Sequence, residues 1–152
     1  MKKKTFRVTA VSLSLLNIIF IFSNSLMNAS TSSSKSMGVR AIVNSIINKL
    51  GIDFEFTDHI VRKGAHFAEF MLLGILLTLI LIAFDLNLYK NITIPLFIGL
   101  FVAVLDEFIQ LFVEGRAGLV SDVVLDFSGL LTGILLTILG YIIKKKASHR
   151  KP

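Results

Sequence analysis

The chain has no cysteine, which excludes disulfides, thiolate metal sites and cysteine nucleophiles. It has no tryptophan either, so aromatic anchoring at a membrane surface falls to phenylalanine, Tyr89 and Tyr141. No GxSxG or HExxH pattern occurs, and no paired histidines stand at metal spacing. Internal repeats and interrupted apolar helices, the marks of alternating-access transporters, are also missing. Polarity itself is scarce. Of 152 residues, 54% are hydrophobic and the mean hydropathy is +0.78, whereas a soluble domain is about 45–50% apolar even with glycine counted.

The length permits one domain, residues 1–152, and the apolar residues are blocked into segments. That combination describes an all-α integral membrane protein whose first partner is the lipid bilayer. The net charge of +6 and pI near 9.8 would suit nucleic acid. The basic residues, however, gather at the two termini beside apolar runs, as membrane-flanking charge does. Nucleic acid is therefore excluded as a partner.

Lys2, Lys3, Lys4 and Arg7 precede the apolar run Val8 to Phe22. A signal peptide has this form, and Ser23 and Ser25 offer small residues at cleavage spacing. An uncleaved first span over about 8–27 has it too, and a polytopic chain favours that reading. Further spans are expected at about 66–84, 92–112 and 123–143, giving a bundle of four transmembrane helices. The first external loop, 28–65, opens with a Ser-rich polar linker at Ser30–Ser36. From Met37 to Leu50 it carries Val39, Val43, Ile46, Ile47 and Leu50 on one face, with Arg40, Asn44, Asn48 and Lys49 opposite. The spacing predicts a short amphipathic helix, either packed on the domain or lying at the membrane surface as a lid. Gly51 stops it, Asp53 to Lys63 is a charged, solvated stretch, and Asp85 to Asn91 is a polar turn.

With both termini cytoplasmic, the N-terminus, the Asp85–Asn91 turn and the tail from Lys144 hold most of the basic residues. His66 and Glu69 then lie at the outer start of the second span. Asp106, Glu107 and Gln110 lie at the outer end of the third, and Asp126 at the outer start of the fourth. Span lengths force this placement. Phe70 to Phe84 would extend only ~22 Å at about 1.5 Å per residue, short of the ~30 Å hydrocarbon core. It must recruit His66, Phe67 and Glu69 to cross. Ile92 to Leu105 likewise needs Asp106, Glu107 and Gln110.

A carboxylate at the middle of a membrane helix costs ~2.5–3.5 kcal/mol, so these groups should face the bundle interior or an external water-filled cleft. Their spacing agrees. Arg62, His66 and Glu69 share a helix face, as do Glu107, Gln110 and Glu114. Asp122, Asp126, Gly129 and Gly133 form one stripe whose GxxxG end permits close helix approach, within the chain or against another copy. Asp126 beside it favours the first. Gly115 and Gly118 suit a tight connection whose backbone angles other residues avoid. Arg116 between them can meet an anionic phosphate bidentately or neutralise Glu107, Glu114 or Asp122.

The HFAEF run at His66–Phe70, the following Leu73-Gly74, and DEFIQLFVEGRAGLVSDVVLDFSG from Asp106 together resemble the VanZ-like family of small bacterial membrane proteins. The match covers the last three spans, and FSNS at Phe22–Ser25 resembles that family's first-helix exit. One departure is Asp126, where the resemblance leads us to expect asparagine. The resemblance implies His66, Glu69, Asp106, Glu107, Gln110, Arg116 and Asp122 as site residues. It also implies a bacterial envelope location and an association with low-level resistance to the glycopeptide teicoplanin. It does not reveal a biochemical activity.

Three functions fit. In the first, the outward polar cleft binds or modulates a lipid-linked or anionic envelope ligand, with Arg116 at its lip. In the second, the Asp/Glu/His cluster catalyses a reaction on a lipid-linked envelope substrate. No motif specifies a cofactor, although the carboxylates can hold a divalent cation with His66 as a nitrogen ligand. The third, proton-coupled transport, ranks last because the inner halves of the last three spans are apolar.

Overall fold

The computed structural model describes residues 2–148, all-helical with no strand among them. The chain forms α1 (Lys2–Ser25), α2 (Ala29–Lys49), α3 (Asp58–Ala83), α4 (Leu88–Asn91), α5 (Thr93–Gln110) and α6 (Val120–Ser148). Four helical stretches are long and apolar enough to cross a membrane: Lys3–Ser25, Asp58–Ala83, Leu88–Gln110 and Val120–Ser148. The third of these combines α4 and α5. Pro95, in the first turn of α5, has no N–H to return to the carbonyl four residues earlier, which accounts for the break between the two. The last part of the basic tail, residues 149–152, lies outside the described residues.

Local capping moves three boundaries from where the sequence pattern put them. Asn28 accepts a hydrogen bond from the Thr31 N–H at 2.9 Å, so Ser30–Ser36 forms the first turns of α2 instead of a linker. Thr57 does the same for the Ile60 N–H at 3.3 Å. Residues Asp58–Lys63, read as a solvated stretch, therefore begin α3. Asn87 caps the Lys90 N–H at 3.2 Å, turning half of the Asp85–Asn91 turn into α4. In each case an Asn or Thr side chain satisfies an end N–H that otherwise has no intrahelical partner.

The bundle is built on parallel packing of α3 against α6. Gly129 lies on the Phe67 carbonyl, Gly133 on the Met71 carbonyl, and Gly74 of α3 on the Leu130 carbonyl of α6; a Cβ at any of the three would overlap those oxygens. The helices thus touch backbone to backbone, as small residues allow in a membrane. Ile21, Phe70, Leu73, Leu77, Val102, Ala103, Leu130 and Ile134 fill the core between α1, α3, α5 and α6. The bundle is otherwise inverted relative to a soluble protein. Leu15, Leu16, Ile19, Phe97, Phe101, Leu135 and Leu139 are exposed, whereas Ser14, Asn17, Thr78, Asp106, Glu107, Gln110 and Asp126 are buried. With hydrocarbon as solvent, this arrangement keeps the ionisable groups of the span interiors away from lipid.

The two ends of the bundle differ. At one end Arg7 donates from Nε to the Ala83 carbonyl at 2.9 Å and, with Lys3, pairs with Asp85. Lys144 and Lys145 line a cleft with Phe6 at the same end, so the α1 start, the α3 end and the α6 end lie together. The acidic residues other than Asp85 collect at the opposite end, over which α2 folds. There α2 differs from expectation. Between Met37 and Leu50 the partly covered residues are Arg40, Val43, Asn44 and Ile47, while Val39, Ile42, Ile46 and Leu50 are exposed. Polar pairing sets this rotation. Asn44 exchanges two hydrogen bonds with the Phe56 backbone, and Arg40 pairs with Asp58 at 3.3 Å.

Substituting Gly133 by alanine forces α3 and α6 apart and should lower stability by about 1–3 kcal/mol or more. Alanine at Gly140, whose Cβ would meet nothing within 4 Å, should be neutral or stabilising by up to about 1 kcal/mol. Thermal melting of the two variants in one detergent checks the contrast.

Candidate functional site

Each helix of the bundle brings polar groups to this end. From α1 come Asn24 and Ser25, from α3 Arg62, Lys63, His66 and Glu69, from α5 Asp106, Glu107 and Gln110, and from α6 Asp122 and Asp126. The loop between α5 and α6 adds Arg116. Asp106 and Asp126 are fully buried, and Glu107 and Gln110 nearly so.

Asp106 is held from two sides. The Ser25 hydroxyl donates to its Oδ1, and the Gln110 Nε2 amide donates to its Oδ2 at 3.1 Å. The same amide group donates to Glu107 Oε1 at 3.0 Å, so one glutamine bridges two carboxylates a helical turn away. Glu107 Oε2 accepts the Leu119 N–H at 2.8 Å, which ties the end of α5 to the start of α6. Glu69 Oε1 accepts from Asn24 Nδ2 at 2.9 Å, while its Oε2 is buried without a partner. Asp122 pairs with Lys63 at 2.9 Å. Asp126 is different: both of its carboxylate oxygens are buried and neither has a hydrogen-bond partner. His66 Nδ1 lies 3.8 Å from Asp106 Oδ2 and 3.9 Å from Asp126 Oδ1, between the two acids.

Arg116 makes no ion pair with a carboxylate among the described residues. It donates from Nη2 to the Asn24 carbonyl at 3.3 Å, and its Nε is buried without a partner. Glu107, Glu114 and Asp122 make no direct ion pair with it, although the charges of Asp106 and Glu107 act on it at longer range. Asp122 has Lys63, Glu107 has Gln110 and Leu119, and the Glu114 side chain is exposed. Burial, with Arg62 close by, pulls the Arg116 guanidinium down from its ordinary value. The two glycines around it serve different ends. Gly115 has a φ of 73°, the left-handed region that favours glycine. Gly118 has no positive φ; its bare Cα is needed because a Cβ would come within 2.5 Å of the Glu107 carbonyl oxygen.

These groups surround a cavity of about 240 Å³ lined by Arg62, Lys63, His66, Glu107, Gln110, Arg116, Asp122 and Asp126. A second cleft of about 280 Å³ lies on the other side of Arg62, His66 and Arg116, which line both. Its remaining wall includes Phe20, Met27, Val39, Val61 and Lys35. The arrangement is a floor of carboxylates beneath a basic rim.

All eight expected polar residues come to this end of the bundle, and Gly129 and Gly133 lie below them against α3. Sequence reasoning missed Asn24, Ser25, Lys63 and the Leu119 N–H as direct partners of the carboxylates. Asn24 and Ser25 were visible as polar breaks in an apolar run, but nothing in spacing says which helix they meet. The Leu119 N–H carries no residue-type signal at all.

Glu107→Ala removes the acceptor of both the Leu119 N–H and a Gln110 amide bond and should cost about 1–3 kcal/mol. Glu114→Ala, in the α5–α6 loop and without side-chain partners among the described residues, should stay within about 0.5 kcal/mol of the parent. Chemical denaturation in mixed micelles separates the two.

No curated protein and no solved structure matched the chain. The VanZ/LLP1 family model, in contrast, matches residues 10–143, which takes in most of α1, the polar end and all the glycine contacts described above. With four membrane-crossing helices and this match over most of its length, the chain is a multi-pass membrane protein of the VanZ/LLP1 family.

Proposed function

We propose that this protein is a single-domain component of the bacterial cytoplasmic membrane, with both termini cytoplasmic, whose polar end faces outward and binds a lipid-linked, anionic envelope ligand. One observation carries the reading. Arg62 and Arg116 lie near one another on the wall of the same cavity, and neither has a carboxylate ion pair among the described residues. The two guanidiniums repel each other, and an anion bridging them relieves that repulsion while accepting charge-assisted hydrogen bonds. The adjoining cleft supplies the apolar wall of Phe20, Met27, Val39 and Val61, a surface suited to the first carbons of a lipid chain. The exposed apolar stripe of α2 above it suits the membrane interface, so α2 would cover the ligand from the headgroup side.

Orientation rests on basic residues concentrated at the opposite end, which the positive-inside rule assigns to the cytoplasm. Asn24 and Ser25 supply hydrogen bonds to Glu69 and Asp106, which favours retention of α1 over its removal as a signal peptide. The functional consequence we assign is modulation of envelope chemistry, including teicoplanin tolerance. An enzyme acting on a lipid-linked envelope substrate is the second reading. It draws on the position of His66 between Asp106 and Asp126, where the ring can exchange a proton with a bound group. Turnover of a polyprenyl-linked precursor that disappears in Glu107→Gln would decide for it.

The test of the first reading uses polyprenyl phosphate titrated into nanodiscs holding the purified protein. Arg116→Ala and Arg62→Ala should each weaken binding about tenfold or more, since a hydrogen bond to a charged group contributes about 1.5–3 kcal/mol. Wild-type affinity in both variants rejects the ligand class. Unchanged teicoplanin tolerance in cells carrying Arg116→Ala at matched membrane levels rejects the link to glycopeptides.

A further inference from the structure

The floor of the cavity poses a separate question from its rim. Asp126 is fully buried, it is within repulsive reach of Asp106, Glu107, Asp122 and Glu69, and both its oxygens lack a hydrogen-bond partner. Every other carboxylate in the cluster has at least one donor or an ion pair. A buried carboxylate with no donor is costly, and the groups facing it are a histidine nitrogen and another acid, not a donor amide.

We infer that His66, Asp106 and Asp126 form a binding site for one divalent transition-metal ion, of the zinc or manganese type. One ligand atom from each of the three lies within 4.8 Å of the other two. Bonds of about 2.0–2.2 Å in tetrahedral geometry place ligand atoms roughly 3.4 Å apart, so binding requires the three to draw in by between a few tenths of an ångström and about one and a half. Side-chain rotation supplies this, because His66 and Asp126 are tied to nothing else at these atoms.

Three features single out this class of ligand. As ligands the two aspartates bring two negative charges, which a divalent ion neutralises in a medium where neither charge is well solvated. One imidazole nitrogen beside two carboxylates is a mixed N/O set, which suits zinc, manganese or iron better than the all-oxygen shells of calcium and magnesium. Asp106 is also oriented from behind by the Ser25 hydroxyl and the Gln110 amide, the supporting hydrogen bonds that ligating carboxylates use. Three protein ligands leave a fourth position free. His66 and Asp126 line the cavity and Asp106 lies behind them, so that position opens into the same space as Arg62 and Arg116. The ion enters by the cavity, and no other route is needed.

The site stands apart from the anion reading, since it requires neither arginine. Full-length protein purified in detergent and stripped with a chelator is titrated with ZnCl2 and with MnCl2, by calorimetry and by thermal melting. One equivalent of at least one metal should bind, with a rise in melting temperature. Asp126→Asn preserves the shape and removes the unpartnered charge. Without metal it should melt at or above the parent temperature, and it should lose the metal-induced rise and weaken uptake on the order of 100-fold or more, beyond the loss of a supporting hydrogen bond. Gln110→Ala should weaken uptake about 10–100-fold, while Glu114→Ala, on the exposed loop outside the cavity, should leave it unchanged. Absence of stoichiometric uptake of either metal overturns the inference. So does uptake that persists at parental affinity in both Asp126→Asn and His66→Ala, which would place the ion elsewhere.

Discussion

Three glycines let α3 and α6 run side by side in backbone contact, and the position of every polar group at the acidic end depends on that spacing. In hydrocarbon no hydrophobic force presses helices together, so close packing and interhelical polar contacts must do it. Gly129 and Gly133 from α6 and Gly74 from α3 let carbonyls of one helix seat against Cα atoms of the other. Because the two helices are parallel, their polar starts coincide. His66 on α3 and Asp126 on α6 then come within 3.9 Å. A wider α3–α6 spacing would leave both groups facing water or lipid.

Above that contact the structure divides charge by depth. The carboxylates of Asp106, Glu107 and Asp126 sit inside the bundle, with Ser25, Gln110 and the Leu119 N–H supplying donors to the first two. The guanidiniums of Arg62 and Arg116 line the cavity walls nearer the loops. Among the described residues lining the cavity, Lys63 and Asp122 cancel one another directly. A protein that merely had to hide acids in a membrane would pair each with a base. Here the basic groups instead line open clefts, and one acid is left without a donor. Unused hydrogen-bonding capacity of both signs in one enclosed space is the physical basis for reading the region as a binding site.

Much of the architecture was legible before the structure. Apolar runs too short to span a bilayer without His66, Asp106 or Gln110 place those residues toward the polar end of the bundle, and helical periodicity puts them on common faces. The Asp126–Gly129–Gly133 stripe marks the face of α6 that meets a neighbour. Other features follow from contacts between segments distant in the chain. The rotation of α2 is set by Asn44 on the Phe56 backbone and Arg40 on Asp58, so its apolar stripe points outward. The need for glycine at 118 comes from the Glu107 carbonyl, not from its own torsion angles. The caps at Asn28, Thr57 and Asn87 lengthened α2 and α3 and created α4, because one side-chain oxygen is enough to satisfy a helix start.

Composition and periodicity decided that this chain is a membrane bundle and which end of each helix is polar, since hydrophobic length and helical repeat are local properties. They also carried the family resemblance, because a contiguous pattern of residue types survives without coordinates. Which polar group meets which was decided only by the tertiary structure. Asn24 reaches Glu69, Ser25 reaches Asp106, Lys63 takes Asp122, and Arg116 is left without a carboxylate. Pairings of that kind depend on separations of a few ångströms between helices far apart in sequence, and on the order in which side chains compete for the same oxygen. No spacing along a single helix contains that information.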